Sequence, residues 1–251
     1  MADRIFNCRF PRTSATVRLI CFPWAGGGSN FYALWGKDLP EFIEVHAITL
    51  EGRENRFKEP CRKELNPLVD DLVEKIYDRF TKKKFAFFGH SFGSLLSFEV
   101  ARKLKSKYSV EPCKMFISGA SPSHDPKFGK MSDEEFKTFL RLLGGTPPEI
   151  LDNEEIMQLY LPPLKADYGM LDQFDSCFSF QPEPGKAVLS CPFEMFDGDC
   201  DKKHDVDAWQ ELTSGSFNLQ FLPGGHFYLK EKKNSDFILD SISKGLGDFP
   251  Y

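Results

Sequence analysis

A chain of 251 residues in which short apolar runs alternate with helical repeats predicts an α/β fold, one mostly parallel central sheet flanked by helices. Two further observations support that class. Most of the runs are rich in apolar residues without a strict alternation, as strands are when helices cover both faces of their sheet. The length and the 41% of apolar residues suffice for a single large domain, residues 1–251, with a sizeable core.

Taken in order, residues 17–22 (VRLICF) and 44–50 (EVHAITL) read as the first two strands. Residues 65–80 read as a helix, because Leu65, Leu68, Leu72, Ile76 and Phe80 recur at spacings of three and four and share one face. A strand at 85–88 (FAFF), a helix over 94–108 with Leu95, Phe98, Ala101 and Leu104 on its apolar face, and a strand at 114–118 (KMFIS) follow. Then the alternation stops. Ser132 before Asp133, Glu134 and Glu135 is a good N-cap; Phe136, Phe139, Leu140 and Leu143 continue at helical spacing until Gly144 and Gly145. Ile156, Leu159 and Tyr160, then Leu164, Tyr168, Leu171 and Phe174, indicate two more short helices. This helical insertion, residues 123–190, interrupts one sheet and is expected to form a lid, with padding of a sheet face as the alternative. Strands at 193–197 (FEMFD) and 217–222 (FNLQFL) complete the pattern.

A net charge of −5 excludes nucleic-acid binding through bulk electrostatics. The seven cysteines are odd in number and form no C-x-x-C pair, which points to reduced thiols in a cytoplasmic protein and away from disulfides or zinc. The N-terminus, MADRIFNCRFPRT, lacks the apolar core of a signal peptide. No window reaches the ~18 apolar residues of a membrane span, so no membrane association is expected. No cofactor or metal motif occurs. The 26 phenylalanines suggest thick packing around an apolar cavity.

The chemistry gathers around GHSFG, residues 89–93, which stands between the strand at 85–88 and the next helix. In that context G-x-S-x-G forms a bend that projects the serine, here Ser91, at the carboxyl edge of the sheet. The bend strains the serine backbone, and side chains at Gly89 and Gly93 would collide with neighbouring backbone. Serine needs a base. Of five histidines, His46 reads as a strand residue, His90 points away from Ser91 on the turn, and His124 and His204 read as surface residues. His226 follows the last strand through LPGG and reaches the same edge as Ser91. An orienting carboxylate is expected between them in sequence, where Asp197, Asp199, Asp201 and Asp205 compete. Amides for an oxyanion are expected at Phe92 and in FPWAGGGSNFY, at Ala25 or Trp24.

The blocks FPWAGGGSNFY, LEGRENRF, GHSFGS, LGGTPPEIL, LPPLKADY, GDCD followed by Trp209, and GGHFYL resemble, in this order, the type II thioesterases. These are α/β-hydrolases that act on acyl carrier proteins of fatty acid, polyketide and peptide synthases. The resemblance spans about Leu19 to Leu229 and is most similar to the vertebrate medium-chain members. Trp24 and a glutamate in LEGRENRF depart from the common pattern. The resemblance implies a triad of Ser91, Asp201 and His226, oxyanion donors at Ala25 and Phe92, and an acyl chamber under the lid. Phe136, Phe139, Leu143, Leu159, Leu164 and Phe174 are the candidates for its wall, with core packing as the alternative for each. It implies hydrolysis of acyl thioesters on the phosphopantetheine arm of the carrier domain of fatty acid synthase, by a monomer without cofactor or metal. Carboxylester hydrolysis and non-catalytic acyl binding are the alternatives. Carrier proteins are acidic, so docking needs a local basic patch; Lys202 and Lys203 stand at the active edge, whereas Lys82, Lys83 and Lys84 should lie at the opposite one.

Overall fold

The computed structural model describes residues 4–122, 128, 131–177 and 187–247, with the backbone alone at 175–177. Among them, β1 (Phe6–Asn7), β2 (Val17–Phe22), β3 (Ile43–Ile48), β4 (Lys84–His90), β5 (Met115–Ser118), β6 (Phe193–Gly198) and β7 (Phe217–Leu222) form one sheet, in the order β1-β3-β2-β4-β5-β6-β7. Only β1 runs antiparallel, against β3; the other pairings are parallel. The helices are α1 (Asn30–Ala33), α2 (Leu65–Phe80), α3 (Phe92–Tyr108), α4 (Asp133–Leu143), α5 (Pro148–Leu151), α6 (Glu154–Cys177), α7 (Asp207–Gln210) and α8 (Lys232–Gly247).

The apolar richness of the central strands has the expected cause, a core on each face. On one side Ile20, Phe22, Phe85 and Phe87 pack with Leu68, Leu72 and Ile76 of α2 and Leu95, Phe98 and Leu104 of α3. On the other, Leu19, Cys21, Ala86 and Phe88 meet Tyr32 of α1 and Ile238 and Ile242 of α8. Each phenylalanine buried this way contributes about 1.5–3 kcal/mol of transfer free energy. Helices α4 and α6 join the first core through Phe136, Leu164, Tyr168 and Phe174, so these two helices sit on the α2–α3 side.

Helix α4 starts as its sequence indicates: the Glu135 amide donates to Ser132 Oγ at 3.3 Å and the Ser132 amide donates to the Glu135 carboxylate at 2.8 Å. It ends at Gly144. The two short helices expected over 156–174 are one helix, α6, which runs through Pro162 and Pro163. Two prolines remove two helical N–H donors, which freed the carbonyls of Gln158 and Leu159; both residues are exposed, so water can satisfy them. Five elements had no counterpart in the sequence pattern: β1, at two residues too short to show a period, the four-residue helices α1, α5 and α7, and the amphipathic α8. His124 and residues 178–186 of the anticipated insertion lie outside the described residues. Cys8, Cys21, Cys61, Cys113, Cys191 and Cys200 are free thiols. Among the described residues no helix is long and apolar enough to cross a membrane.

Candidate active site

Because β2, β4, β6 and β7 are parallel, their carboxyl ends deliver four loops to one edge of the sheet. Ser91 follows β4 directly, with φ 55° and ψ −120°, in the strained conformation that the bend demands. The flanking glycines are there for close approach: a Cβ on Gly89 would run into the backbone of Gly93, and one on Gly93 into the carbonyl of Phe22. The Ser91 amide is anchored to Ser118 O at 2.8 Å, which ties the bend to the neighbouring strand.

His226, after β7, faces Ser91 with Nε2 3.0 Å from Oγ. Its Nδ1 lies 2.7 Å from Asp201 Oδ2. A carboxylate only accepts, so Nδ1–H donates to Asp201 and Nε2 keeps a lone pair for the Ser91 proton. Burial pushes the Asp201 carboxyl up, but the hydrogen bond and charge of His226, the charge of His204 and the Lys202 amide outweigh it and hold it below its ordinary value.

The four competing aspartates separate by their partners. Asp199 accepts from the Gly224 amide at 2.9 Å and Asp205 from the Ala208 amide at 3.2 Å, both in turn-forming roles. Asp197 lies 2.9 and 3.0 Å from His204 Nδ1. His204 is therefore not the surface residue its polar neighbours suggested: it is 6% exposed, and its Nε2 lies 3.9 Å from Asp201. The loop folds back because Trp209, fully buried, pulls the following turn inward and donates Nε1–H to Ala120 O at 2.8 Å. His90 packs behind His226, ring centroids 5.0 Å apart, with Nδ1 2.8 Å from Ser118 Oγ. Burial, then the nearby His226, His204 and Lys230, push its basicity well below the usual histidine range, so it stays neutral.

The loop after β2 brings Trp24–Ser29 beside the bend. The Gly26 amide donates to Asp167 at 2.7 Å and the Gly27 amide to Trp24 O at 2.8 Å, while those of Ala25 and Phe92 have no acceptor among the described residues. At its far end the amides of Ser29 and Asn30 donate to the Glu54 carboxylate, each at 3.0 Å. Phe92 also opens α3, whose dipole adds positive potential at that point.

A cavity of about 280 Å³ opens on Ser91 and His226, walled by Phe92, Leu95, Phe139, Leu143, Tyr168 and Leu171, with Lys202 also lining it. A second, of about 240 Å³, lies between the Trp24–Gly28 loop and Leu140, Leu143, Leu164 and Tyr168. Leu143 and Tyr168 line both and so stand between them. Of the wall candidates, Phe139 and Leu143 face the first cavity and Leu164 the second. Phe136 and Phe174 line neither; they are buried beneath, against Tyr168 and Phe92. Leu159 is no wall residue: it is 54% exposed, because the continuous α6 turns that position to solvent. Tyr168 and Leu171 belonged to the apolar repeat but not to the candidates, and nothing in a 3.6-residue period distinguishes a cavity wall from core.

Among the described residues, two groups hold three ligand-type atoms within 4.8 Å of one another, Cys8, Glu44 and His46, and Asp201, His204 and His226. In each, a carboxylate–imidazole hydrogen bond of 2.7 Å already engages two of the three. Lys84 starts β4 at the edge opposite Ser91, while Lys202 and Lys203 are exposed at the active edge.

The Thioesterase domain profile matches residues 17–246. The chain is 39% identical over 250 residues to the S-acyl fatty acid synthase thioesterase, medium chain, of Rattus norvegicus, covering 97% of this chain and 93% of that protein. It is 40% identical over 250 residues to the Homo sapiens protein of that name, covering 97% and 92%. Its fold superposes on the type II thioesterase BorB from the borrelidin biosynthetic cluster with a TM-score of 0.82, at 30% identity over 97% of this chain and 98% of that one. Human thioesterase 2 aligns with a TM-score of 0.72, at 33% identity over 94% and 99%. The chain belongs to the thioesterase family and is a thioester hydrolase built on the α/β-hydrolase fold.

Proposed function

We propose that the protein hydrolyses acyl thioesters carried on the phosphopantetheine arm of the acyl carrier domain of fatty acid synthase, releasing free medium-chain fatty acids. The observation that carries this reading is the Ser91–His226–Asp201 relay opening on a cavity walled by Phe92, Leu95, Phe139, Leu143, Tyr168 and Leu171 in a chain similar to medium-chain fatty acid synthase thioesterases. Ser91 Oγ attacks the thioester carbonyl as His226 Nε2 takes its proton, and Asp201 holds the ring and stabilises the imidazolium. The amides of Ala25 and Phe92 hold the oxyanion, each worth about 3 kcal/mol in the transition state. The C–S bond breaks, and the thiol leaves with the proton from Nε2. Water then attacks the acyl-Ser91 ester, giving its proton to Nε2, and the carboxylic acid departs as Oγ is reprotonated.

A thiol with a pKa of about 8.5 is a good leaving group, so selection of the acyl chain is the harder task. A chamber wall gains about 0.8 kcal/mol per buried methylene, enough to sort chains by a few carbons. The helices between β5 and β6 act as the lid in this reading, and the carrier docks at Lys202 and Lys203 with the enzyme as a cytoplasmic monomer. Hydrolysis of carrier-bound acyl chains of graded length tests it. A maximum at medium length, lost in Ser91→Ala, is expected; equal or greater activity on simple oxygen esters would make the protein a carboxylesterase. Reversing both lysine charges should slow hydrolysis of carrier-bound substrate and spare acyl-pantetheine.

A further inference from the structure

Two of the sequence blocks take no part in the relay: LEGRENRF, in the loop after β3, and LPPLKADY, in α6. The structure brings one charged residue of each together. Arg53 Nη1 and Nη2 donate to Asp167 Oδ2 and Oδ1 at 2.6 and 2.9 Å, and the two side chains are 8% and 1% exposed. Burial opposes the charge on Arg53, yet the charge and hydrogen bonds of Asp167 outweigh it and hold the guanidinium above its ordinary value. A buried pair of this kind adds little net stability, because desolvating both ions offsets much of their attraction. An aspartate on the apolar face of a helix therefore marks a function.

The same atoms grip the loop after β2. Asp167 Oδ2 accepts the Gly26 amide at 2.7 Å, and Arg53 Nη1 donates to Gly27 O at 3.1 Å. These two glycines follow Ala25. Leu164, one turn earlier on α6, packs so closely on Gly26 that a Cβ there would overlap its side chain. Immediately after Asp167, and one turn further on, Tyr168 and Leu171 wall the cavity at Ser91. One face of one helix thus touches both the space for the acyl chain and the loop that carries the oxyanion amide.

We propose that Arg53 and Asp167 are positioning residues that couple the oxyanion loop to α6, so that an acyl chain seated against Tyr168 and Leu171 sets the Ala25 amide for the tetrahedral intermediate. Neither residue touches the reacting atoms. The inference rests on the acyl-thioester reading above. Its consequence is that filling the cavity raises kcat and not affinity alone, since contacts remote from the carbonyl act on transition-state geometry. An acetyl group, too short to press on α6, gains none of this.

The test is a series of acyl-pantetheine thioesters from acetyl to medium chain, with kcat and KM measured for wild type, Asp167→Asn and Arg53→Lys. Asparagine keeps an acceptor for the Gly26 amide and loses the charge; lysine keeps the charge and loses the two-pronged contact. In wild type, kcat should rise with chain length. In both variants the ratio of medium-chain to acetyl kcat should fall about 10-fold, less than the ~10²–10³ for outright loss of an oxyanion donor, while KM keeps its dependence on length. A wild-type kcat indifferent to length, a kcat lowered by one factor at every length, or a loss confined to KM would each overturn the proposal. If Asp167→Asn does not fold, the Arg53→Lys series decides by the same criteria. Wild type inert towards every acyl thioester, or activity surviving Ser91→Ala, would overturn the acyl-thioester reading itself, and those arms report it independently of the pair.

Discussion

Asp201→Asn keeps the shape of the side chain and removes its charge, and the structure sets how much activity should go with it. The carboxylate lies 2.7 Å from His226 Nδ1, and the imidazole becomes cationic when it takes the Ser91 proton. At that separation a pair of unit charges is worth about 6 kcal/mol at an effective dielectric of about 20. The Lys202 amide already engages the other carboxylate oxygen at 2.7 Å and takes up part of its charge, so about 4 kcal/mol is the share expected in the transition state. That amounts to about a 10³-fold loss in kcat. Thiol release from a medium-chain acyl-pantetheine, followed by a chromogenic disulfide, measures it. Asp197→Asn is the matched control, because Asp197 bonds His204 and not His226; its activity should stay within about tenfold of wild type. Retention of more than a tenth of the activity in Asp201→Asn, or an equal fall in Asp197→Asn, would refute the assignment and pass the role to the Asp197–His204 pair.

Three further outcomes are expected. Because His226 and its neighbours hold the Asp201 carboxyl below its ordinary value, the stability it contributes is present above the unfolded value of about 3.9 and lost as pH falls through the lower, folded one. The Tm gap between wild type and Asp201→Asn should therefore shrink below about pH 4, and a gap that keeps growing there would contradict the sign. Gly93→Ala drives a Cβ into the Phe22 carbonyl and should destabilise by about 3 kcal/mol and remove Ser91 labelling by a fluorophosphonate; a fully labelled variant with wild-type Tm would refute the close-approach reading of the elbow. Tyr168→Ala removes a wall common to both cavities, so the preferred acyl chain should lengthen by about two or more carbons, with a stability loss of about 3 kcal/mol; an unchanged length profile would show that the two cavities are not joined through this side chain.

What the sequence reveals of this molecule follows from the range over which each signal acts. Strands β2 to β7 and α2 were legible because burial on two faces, on one face or on one helical stripe writes a local pattern. The elbow was legible because close backbone contact at Gly89 and Gly93 admits little else. The position of His226 followed from parallel topology, since the loops after β4 and β7 emerge at one edge. Arg53 and Asp167 were visible only as letters within two blocks; their pairing is a tertiary fact with no period or spacing. His204 was misjudged because polar neighbours signal a loop but not whether the loop folds inward, which the burial of Trp209 decides here. Leu159 and the continuity of α6 share one cause, a proline pair that ends most helices and does not end this one.

The central claim is that the acyl group passes through Ser91. Rapid acid quenching of the enzyme with a medium-chain acyl thioester, followed by peptide mass mapping, addresses it directly. An adduct of one acyl group on the peptide that contains Ser91, absent from Ser91→Ala, is the expected result. An acyl group found instead on the exposed thiol of Cys200, or still formed in Ser91→Ala, would contradict it.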